Sequence, residues 1–266
     1  MKKCIWCVKT DEGTTFDLEA HILPQSLGSK ETFENECDEC NQYFGKRLGS
    51  RKPSIDIALK ETLILSRVMK VGSLIRYNSK EILGRRITKN EIQNIQKSTE
   101  LFKVDFDEEG ANRITPKKAF SYYLQEPKYF TNSLKRGLLK VGFEKAIKED
   151  VLPENFGSFY DQFYDYVRNF LRWDKGNPKL YYFRRKIGIE LLNLDFLTAP
   201  KVTLYSIENN YLKFEIMGHI FATSLGKSNL TAYEFEQKNK HDNIFELVKV
   251  NSFLDIDIFN IVFSGK

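Results

Sequence analysis

The four cysteines of this 266-residue chain all lie within its first forty residues, as two pairs with the same spacing. Cys4 and Cys7 form the first pair, Cys37 and Cys40 form the second, and 29 residues separate the pairs. Two Cys-x2-Cys units arranged in this way are typical of tetrahedral zinc. Because four thiolates complete the coordination of the ion, we expect a structural Zn²⁺ that replaces the core of a small N-terminal unit.

The expected compartment supports metal binding over disulfide formation. The N-terminal sequence contains no apolar run of signal-peptide length, and no stretch of about 18 apolar residues occurs. We therefore expect a cytoplasmic protein without a membrane span, in which cysteines serve as metal ligands more often than as disulfides. The alternative interpretation is two unrelated pairs of buried thiols, which would require the repeated spacing to be a coincidence.

The clustering of cysteines divides the chain into a module at residues 1–52 and a larger domain at residues 53–266. Hydrophobic periodicity predicts an α+β fold for the larger domain, with helices first and antiparallel strands after them. Thr115–Pro116 reads as a helix start, with a capping hydroxyl before a proline. The predicted helices are Ser54–Val71, Lys117–Gln125, Thr131–Lys148 and Phe156–Trp173, and the predicted strands are Ser73–Tyr77, Leu101–Phe106, Lys201–Glu208, Tyr211–Leu225, Phe245–Val250 and Ile256–Phe263.

Charge is distributed unevenly along the N-terminal module. The whole chain carries a net charge of +5 and has a pI near 8.8, whereas residues 1–45 hold four lysines and nine acidic residues. Four basic residues follow, namely Lys46, Arg47, Arg51 and Lys52. One interpretation is a clamp for the phosphate backbone of nucleic acid. The other is an ordinary solvated turn, and the sequence favours neither.

His21 is one of three histidines and lies between the two cysteine pairs. A lone histidine is more often a packed or solvated residue than a catalytic one, and we expect this of His219, in an apolar strand, and of His241, in a polar segment. The surroundings of His21 differ, because a strand-like approach precedes it, Ile-Leu-Pro follows it, and Asn41 comes directly after the last cysteine.

Taken together, these motifs resemble the HNH (ββα-metal) endonuclease family. The pattern of that family is a Cys-x2-Cys pair, His-Ile-x-Pro, a Leu-Gly turn, an asparagine, and a second Cys-x2-Cys pair followed by histidine or asparagine. The chain supplies these elements in the same order, as Cys4–Cys7, His21-Ile22-Leu23-Pro24, Leu27-Gly28, Asn35 and Cys37–Cys40 followed by Asn41.

The resemblance implies a fold and a role for three residues. A two-stranded ribbon would pack over a helix that begins near Cys40. His21 would be the general base that activates water, since imidazole titrates near neutral pH. Asn41 would be a ligand of a catalytic divalent ion such as Mg²⁺, and Asn35 would hold the loop by hydrogen bonds.

Two positions depart from the family pattern. Many members carry an acid or a second histidine directly before the base, where this chain has Ala20. A further ligand commonly follows four residues after the first helix ligand, where this chain has Gly45. The nearest candidates in sequence for the missing ligands are Asp17 and Glu19.

The function implied is that of a metal-dependent endonuclease that cuts nucleic acid, double-stranded DNA more than RNA. The arrangement resembles bacterial restriction and anti-phage defence nucleases, so candidate partners are a second copy of the chain or a protein of a defence complex. Residues 53–266 carry no chemical motif and are expected to sense, bind substrate or dimerise. The alternative function is a non-catalytic zinc module that binds nucleic acid or protein within a larger complex.

Overall fold

The structure is a computed structural model that describes residues 1–27, 29–46, 52–63, 102–107, 110–116, 125–151, 158–186, 201–216, 218–227 and 229–256. These residues form α-helices and antiparallel strands, so the predicted α+β class is confirmed. Within them, no helix combines the length and the apolar character needed to cross a membrane.

The N-terminal module contains short pieces of regular structure around one helix. An antiparallel bridge joins Lys3 to Thr10, and a second bridge joins His21 to Thr32. Hydrogen bonds from Phe33 N to Ala20 O, at 2.8 Å, and from Ile22 N to Glu31 O, at 3.1 Å, extend the second bridge. A 3-10 turn at Gln25–Leu27 lies between the paired segments, and helix α1 (Asp38–Gly45) follows them. The described segments before α1 thus pair through isolated bridges and not through full strands.

Four further α-helices lie among the other described residues. Residues 55–63 form α2, whose first turn is capped by a hydrogen bond from Ile57 N to Ser54 Oγ, at 3.2 Å. The others are α3 (Pro127–Lys148), α4 (Asp165–Trp173), which follows a 3-10 turn at Gln162–Tyr164, and α5 (Asn229–Asn239). Proline in the first turn of α3 loses no hydrogen bond there, because the N–H groups of a first turn have no partner within the helix.

Strands β1 (Phe102–Asp107) and β2 (Gly110–Pro116) form an antiparallel hairpin. The main sheet has the antiparallel order β4-β5-β6-β3-β7. Its strands are β3 (Leu180–Arg185), β4 (Val202–Glu208), β5 (Tyr211–Ile216), β6 (His219–Ser224) and β7 (Phe245–Lys249). Asn209 and Asn210 join β4 to β5 with φ of 49° and 62°, which is the left-handed backbone of a type I′ hairpin turn.

Helix α3 lies at the centre of the fold because two glycines let its neighbours approach. A Cβ at Gly137 would stand 2.6 Å from Leu59 Cγ of α2, and one at Gly142 would stand 2.7 Å from Phe214 Cε1 of β5. One buried cluster therefore runs from Cys4 through α3 to Ile256. A second, smaller buried cluster joins Phe235 of α5 to Tyr181 and Phe183 of β3.

The predicted elements agree with the structure at α3, β4 and β7. The helix start at Thr115–Pro116 is wrong, since these residues pair with Lys103 and Phe102 at the end of β2, a position that tolerates proline. The strand Tyr211–Leu225 is in fact β5 and β6, divided at Gly218, whose φ of 79° suits glycine. Helix α4 begins nine residues later than predicted. Ser73–Tyr77 and nearly all of Lys117–Gln125 and Ile256–Phe263 lie outside the described residues.

Candidate metal centre and nuclease site

The four cysteines meet at one point. Their Sγ atoms all lie within 4.8 Å of one another, and both the Cys4–Cys40 and the Cys7–Cys37 pair are 3.6 Å apart. Zinc–sulfur bonds of about 2.3 Å in a tetrahedron require sulfur atoms about 3.8 Å apart. A disulfide requires about 2.05 Å. The donor set and its spacing therefore fit a tetrahedral metal ion.

Local backbone geometry presents the thiols of the two pairs to each other. Cys4 N donates to Lys9 O, at 2.8 Å, and Val8, with a left-handed φ of 56°, turns the chain back after Cys7. The second pair lies at the start of α1, where Cys37 is the residue before the first turn. Cys37 N donates to Cys4 Sγ, at 3.4 Å, which joins the two pairs.

Positive charge from α4 lies beside the thiols. Arg172 Nη2 is 3.1 Å from Glu39 Oε1, and its guanidinium lies 4.6 Å from the Tyr43 ring centroid. Burial tends to lower the pKa of Arg172, but Cys40 and Glu39 raise it above its usual value. Hydrogen bonds from the Cys4 and Cys40 thiols lower the pKa of Cys7 well below its usual value. Hydrogen bonds with Cys4 and Cys7, together with burial, raise the pKa of Cys40, and the pKa of Cys4 is also raised, so the four thiols differ in how readily they lose a proton.

His21 is placed by its bridge to Thr32 and is largely enclosed. Its side chain is 15% exposed, and Nε2 lies 3.7 Å from Glu19 Oε2. Nδ1 is buried and has no hydrogen-bond partner among the described residues. The two ring nitrogens therefore have different surroundings, a carboxylate beside Nε2 and no partner at Nδ1 within the described residues.

Asn41 lies close to the same segment, and Asn35 contacts the first cysteine pair. Asn41 Nδ2 donates to Glu19 O, at 3.4 Å, which leaves Oδ1 as the group that can accept a hydrogen bond or bind an ion. Asn35 O accepts a hydrogen bond from Ile5 N, at 2.8 Å. Its side chain makes no hydrogen bond to His21 within the described parts of the chain, and its role in catalysis stays a prediction.

Residues 4–52 match the family model described as HNH endonuclease. The N-terminal module is an HNH endonuclease module. The match covers about a fifth of the chain, and it indicates nuclease activity on nucleic acid. No curated protein and no solved structure matches the chain.

Asp38 is a residue of the HNH module that the sequence did not single out. Its carboxylate accepts hydrogen bonds from Thr15 Oγ1, from Asp17 N at 3.2 Å and from Leu18 N at 2.8 Å. The hydrogen bond from Thr15 is the largest of the effects that lower the pKa of Asp38. The first turn of α1 thereby fixes the segment that leads to His21. An acid in a first helical turn was the available signal.

Asp56 is a second such residue, and it lies outside the matched range. Its Oδ2 is 3.6 Å from the position that a Cβ on Gly45 would occupy. Burial raises the pKa of Asp56, while the positive charges of Lys140 and Lys60 act to lower it. No sequence signal marks Asp56, because it follows an apolar residue at a helix start and matches no motif.

Lys140 of α3 connects the two ends of the module. Its Nζ lies 2.8 Å from Glu144 Oε2 and 3.0 Å from Glu36 Oε2, and it donates to His21 O at 3.4 Å. Trp6 Nε1 donates to Glu144 Oε1, at 2.9 Å. Burial tends to lower the pKa of Lys140, but Glu144 and Glu36 raise it above its usual value. Burial, reinforced by Glu36, raises the pKa of Glu144.

The basic residues proposed to hold phosphate are described only in part. Lys46 is exposed just after α1, whereas Arg47 and Arg51 lie outside the described residues. Lys52 Nζ lies 3.6 Å from Asp174 Oδ2 and 5.0 Å from the Tyr129 ring centroid. A phosphate would therefore have to compete with Asp174 for Lys52.

A cavity of about 270 Å³ lies beside the paired segments of the HNH module. Asp17, Glu19, Glu34 and Glu36 contribute to its lining, and His21 does not. Its acidic lining would repel a phosphate backbone, so this cavity is not where nucleic acid would meet the base.

Proposed function

We propose that this chain is a metal-dependent endonuclease in which His21 activates the water that attacks a phosphodiester bond. The observation that carries the proposal is the buried, unpaired Nδ1 of His21, at the position where the HNH resemblance places the base. An unpaired buried nitrogen is costly, and such atoms often mark functional sites. The side chain as a whole is 15% exposed while Nδ1 itself is buried, so the attacking water would have to enter beside Nδ1 when substrate binds.

The surrounding residues would hold His21 in position for proton transfer. Lys140 binds the carbonyl oxygen of His21, and the bridge to Thr32 fixes the backbone. Glu19 beside Nε2 would keep the proton on that atom, so that Nδ1 takes the proton from water. General-base catalysis of this kind contributes about 10²- to 10⁴-fold to a rate.

Two different ions are proposed for the module. Zn²⁺ would occupy the four-Cys site as a structural ion, because no coordination position remains for substrate. Asn41, with its free Oδ1, would hold a Mg²⁺ or similar ion near His21. Such an ion stabilises the negative charge that develops on the phosphate and on the leaving oxygen.

We propose double-stranded DNA as the substrate and bacterial restriction or defence as the setting. The support is the architecture, in which an HNH module precedes a larger α+β domain without a recognisable chemical motif. This is an analogy of architecture, so the substrate is decided by experiment.

The test compares cleavage of supercoiled plasmid, linear DNA and RNA by the wild-type chain and by His21→Ala, with Mg²⁺, with Mn²⁺ or with EDTA. We expect metal-dependent cleavage that His21→Ala lowers by about 10²- to 10⁴-fold while zinc content stays unchanged. His241→Ala, at an exposed histidine, is the matched control and should cut like the wild type. Binding of nucleic acid without cleavage on any substrate would instead support the non-catalytic zinc module.

A further inference from the structure

The HNH resemblance leaves a ligand position empty at Gly45. Asn41 and Gly45 are four residues apart in α1, so they lie on the same face of the helix, one turn from each other. A side chain at position 45 would point toward the space next to Asn41. Glycine has no side chain to place there.

A carboxylate from another helix occupies this space. Asp56 Oδ2 lies 3.6 Å from the position of a Cβ on Gly45, which is ordinary van der Waals contact. Asp56 is in the first turn of α2, whose start is fixed by the cap at Ser54. Close packing of Leu59 against Gly137 holds α2 on α3. The position of the carboxylate is therefore set by the fold and not by a surface rotamer.

The groups around Asp56 belong to the His21 site. The Asp56 carboxylate lies within electrostatic range of Lys140 and of the His21 ring. Lys140 Nζ contacts the carbonyl oxygen of His21 itself. A carboxylate and an amide oxygen, with water in the other positions, form a donor set that suits Mg²⁺ or Mn²⁺.

We propose that Asp56 supplies the carboxylate ligand of the catalytic divalent ion, in place of a side chain at position 45. Asp56 lies four residues beyond the range that matches the HNH family. This inference rests on the proposed nuclease function and adds a ligand that comes from outside the module. The rival carboxylate is Glu19, whose side chain is 71% exposed and lies 3.7 Å from His21 Nε2.

The experiment measures the affinity of the zinc-loaded, full-length protein for Mn²⁺ by electron paramagnetic resonance. We expect Asp56→Asn to weaken Mn²⁺ binding at least about tenfold, because even residues that only orient a metal ligand contribute 10- to 100-fold. Glu19→Gln should change the affinity by less than about threefold. Glu234→Gln, at an exposed acid of α5, removes the same charge and should leave the affinity unchanged. Zinc content and the urea midpoint report whether each variant is folded.

A second variant tests the geometry and guards against a folding defect. In an Asp56→Ala background, Gly45→Asp places a carboxylate in the space that Asp56 leaves, so we expect it to restore Mn²⁺ affinity to within about fivefold of wild type. Unchanged affinity in Asp56→Asn, a large loss in Glu19→Gln, or no restoration in the double variant would each overturn the assignment of Asp56. If His21-dependent cleavage persists in those cases, the nuclease proposal stands without this ligand. If the zinc-loaded wild-type chain binds no Mn²⁺, both the Asp56 assignment and the proposal of a metal-dependent nuclease are overturned.

Discussion

The two ends of the HNH module are assembled in different ways. At the four-Cys end, all ligands come from residues 4–40 and converge within 4.8 Å. At the His21 end, the supporting groups come from helices that follow the module. Lys140 of α3 contacts the His21 carbonyl, and Asp56 of α2 lies over Gly45. Lys145 Nζ, also from α3, lies 2.7 Å from Glu31 Oε1, next to the bridge partner Thr32.

This difference teaches that a short sequence motif can define a structural metal site completely and a catalytic site only partly. The metal site needs local chain turns, which a fifty-residue module supplies. The His21 end needs buried charges to be satisfied, and two of the partners, Lys140 and Lys145, lie more than a hundred residues away in the sequence from the groups they contact. Substitutions at the four-Cys end should therefore remove zinc binding, whereas substitutions at the His21 end should lower stability and cleavage and leave zinc bound.

The largest effect is expected from loss of one thiolate. Structural zinc contributes roughly 10–16 kcal/mol in small modules, which exceeds the total stability of many domains. Cys37→Ser should abolish zinc binding and unfold the module, including α1 and Asn41, because Cys37 directly precedes α1. Zinc per chain by plasma mass spectrometry and the near-ultraviolet dichroism of buried Trp6 are the measurements.

The control for this loss is Ser26→Ala, at an exposed residue of the 3-10 turn, which should keep one zinc per chain. Treatment of the wild type with a strong chelator should reproduce the Cys37→Ser spectrum. Full zinc content in Cys37→Ser would contradict the four-Cys site.

A smaller but more selective effect is expected at Lys140. Its removal leaves Glu36 and Glu144 as buried, uncompensated carboxylates, and breaking a buried ion pair costs about 3–5 kcal/mol. Lys140→Met should therefore lower the urea midpoint strongly. Since none of its contacts is a cysteine, zinc content should stay at one per chain while cleavage falls.

Lys148→Met is the matched control on the same helix. Lys148 donates to Thr32 O at 2.8 Å, but its side chain is 39% exposed, so water can replace the contact and the change should cost about 1 kcal/mol or less. Equal destabilisation by both variants would show that the buried cluster has no special role. Loss of zinc in Lys140→Met would show that the two ends are not separable.

The four-Cys site could be predicted from sequence because its information is local. The two Cys-x2-Cys pairs, Cys4–Cys7 and Cys37–Cys40, give the number of metal ligands, and their short spacing indicates the local turns that bring the two thiols of each pair together. The same holds for the β4–β5 hairpin, where two asparagines with left-handed φ define the turn. In each case a short segment carries the whole geometrical requirement.

Asp56 and Lys140 could not be predicted because their roles depend on packing. Asp56 is significant only once α2 lies against α1 beside Gly45, and Lys140 only once α3 brings it to Glu36 and His21. Thr115–Pro116 shows the reverse case, in which a local helix signal is overridden by strand pairing with Phe102 and Lys103. No spacing rule contains these long-range contacts.

The smallest predicted effect tests whether the four-Cys end also depends on helices that follow the module, which would weaken the contrast between the two ends. Arg172 and Lys9 both bind Glu39, at 3.1 and 2.9 Å, but the Arg172 side chain is 6% exposed and that of Lys9 is 50% exposed. A bound Zn²⁺ leaves four thiolates with excess negative charge, which buried Arg172 neutralises and exposed Lys9, screened by water, does not. We expect Arg172→Met to weaken zinc affinity about 10- to 100-fold in chelator competition, and Lys9→Met by less than about threefold. Equal and small losses would leave the four-Cys end independent of α4, whereas a loss as large as that of Cys37→Ser would make both ends dependent on the larger domain.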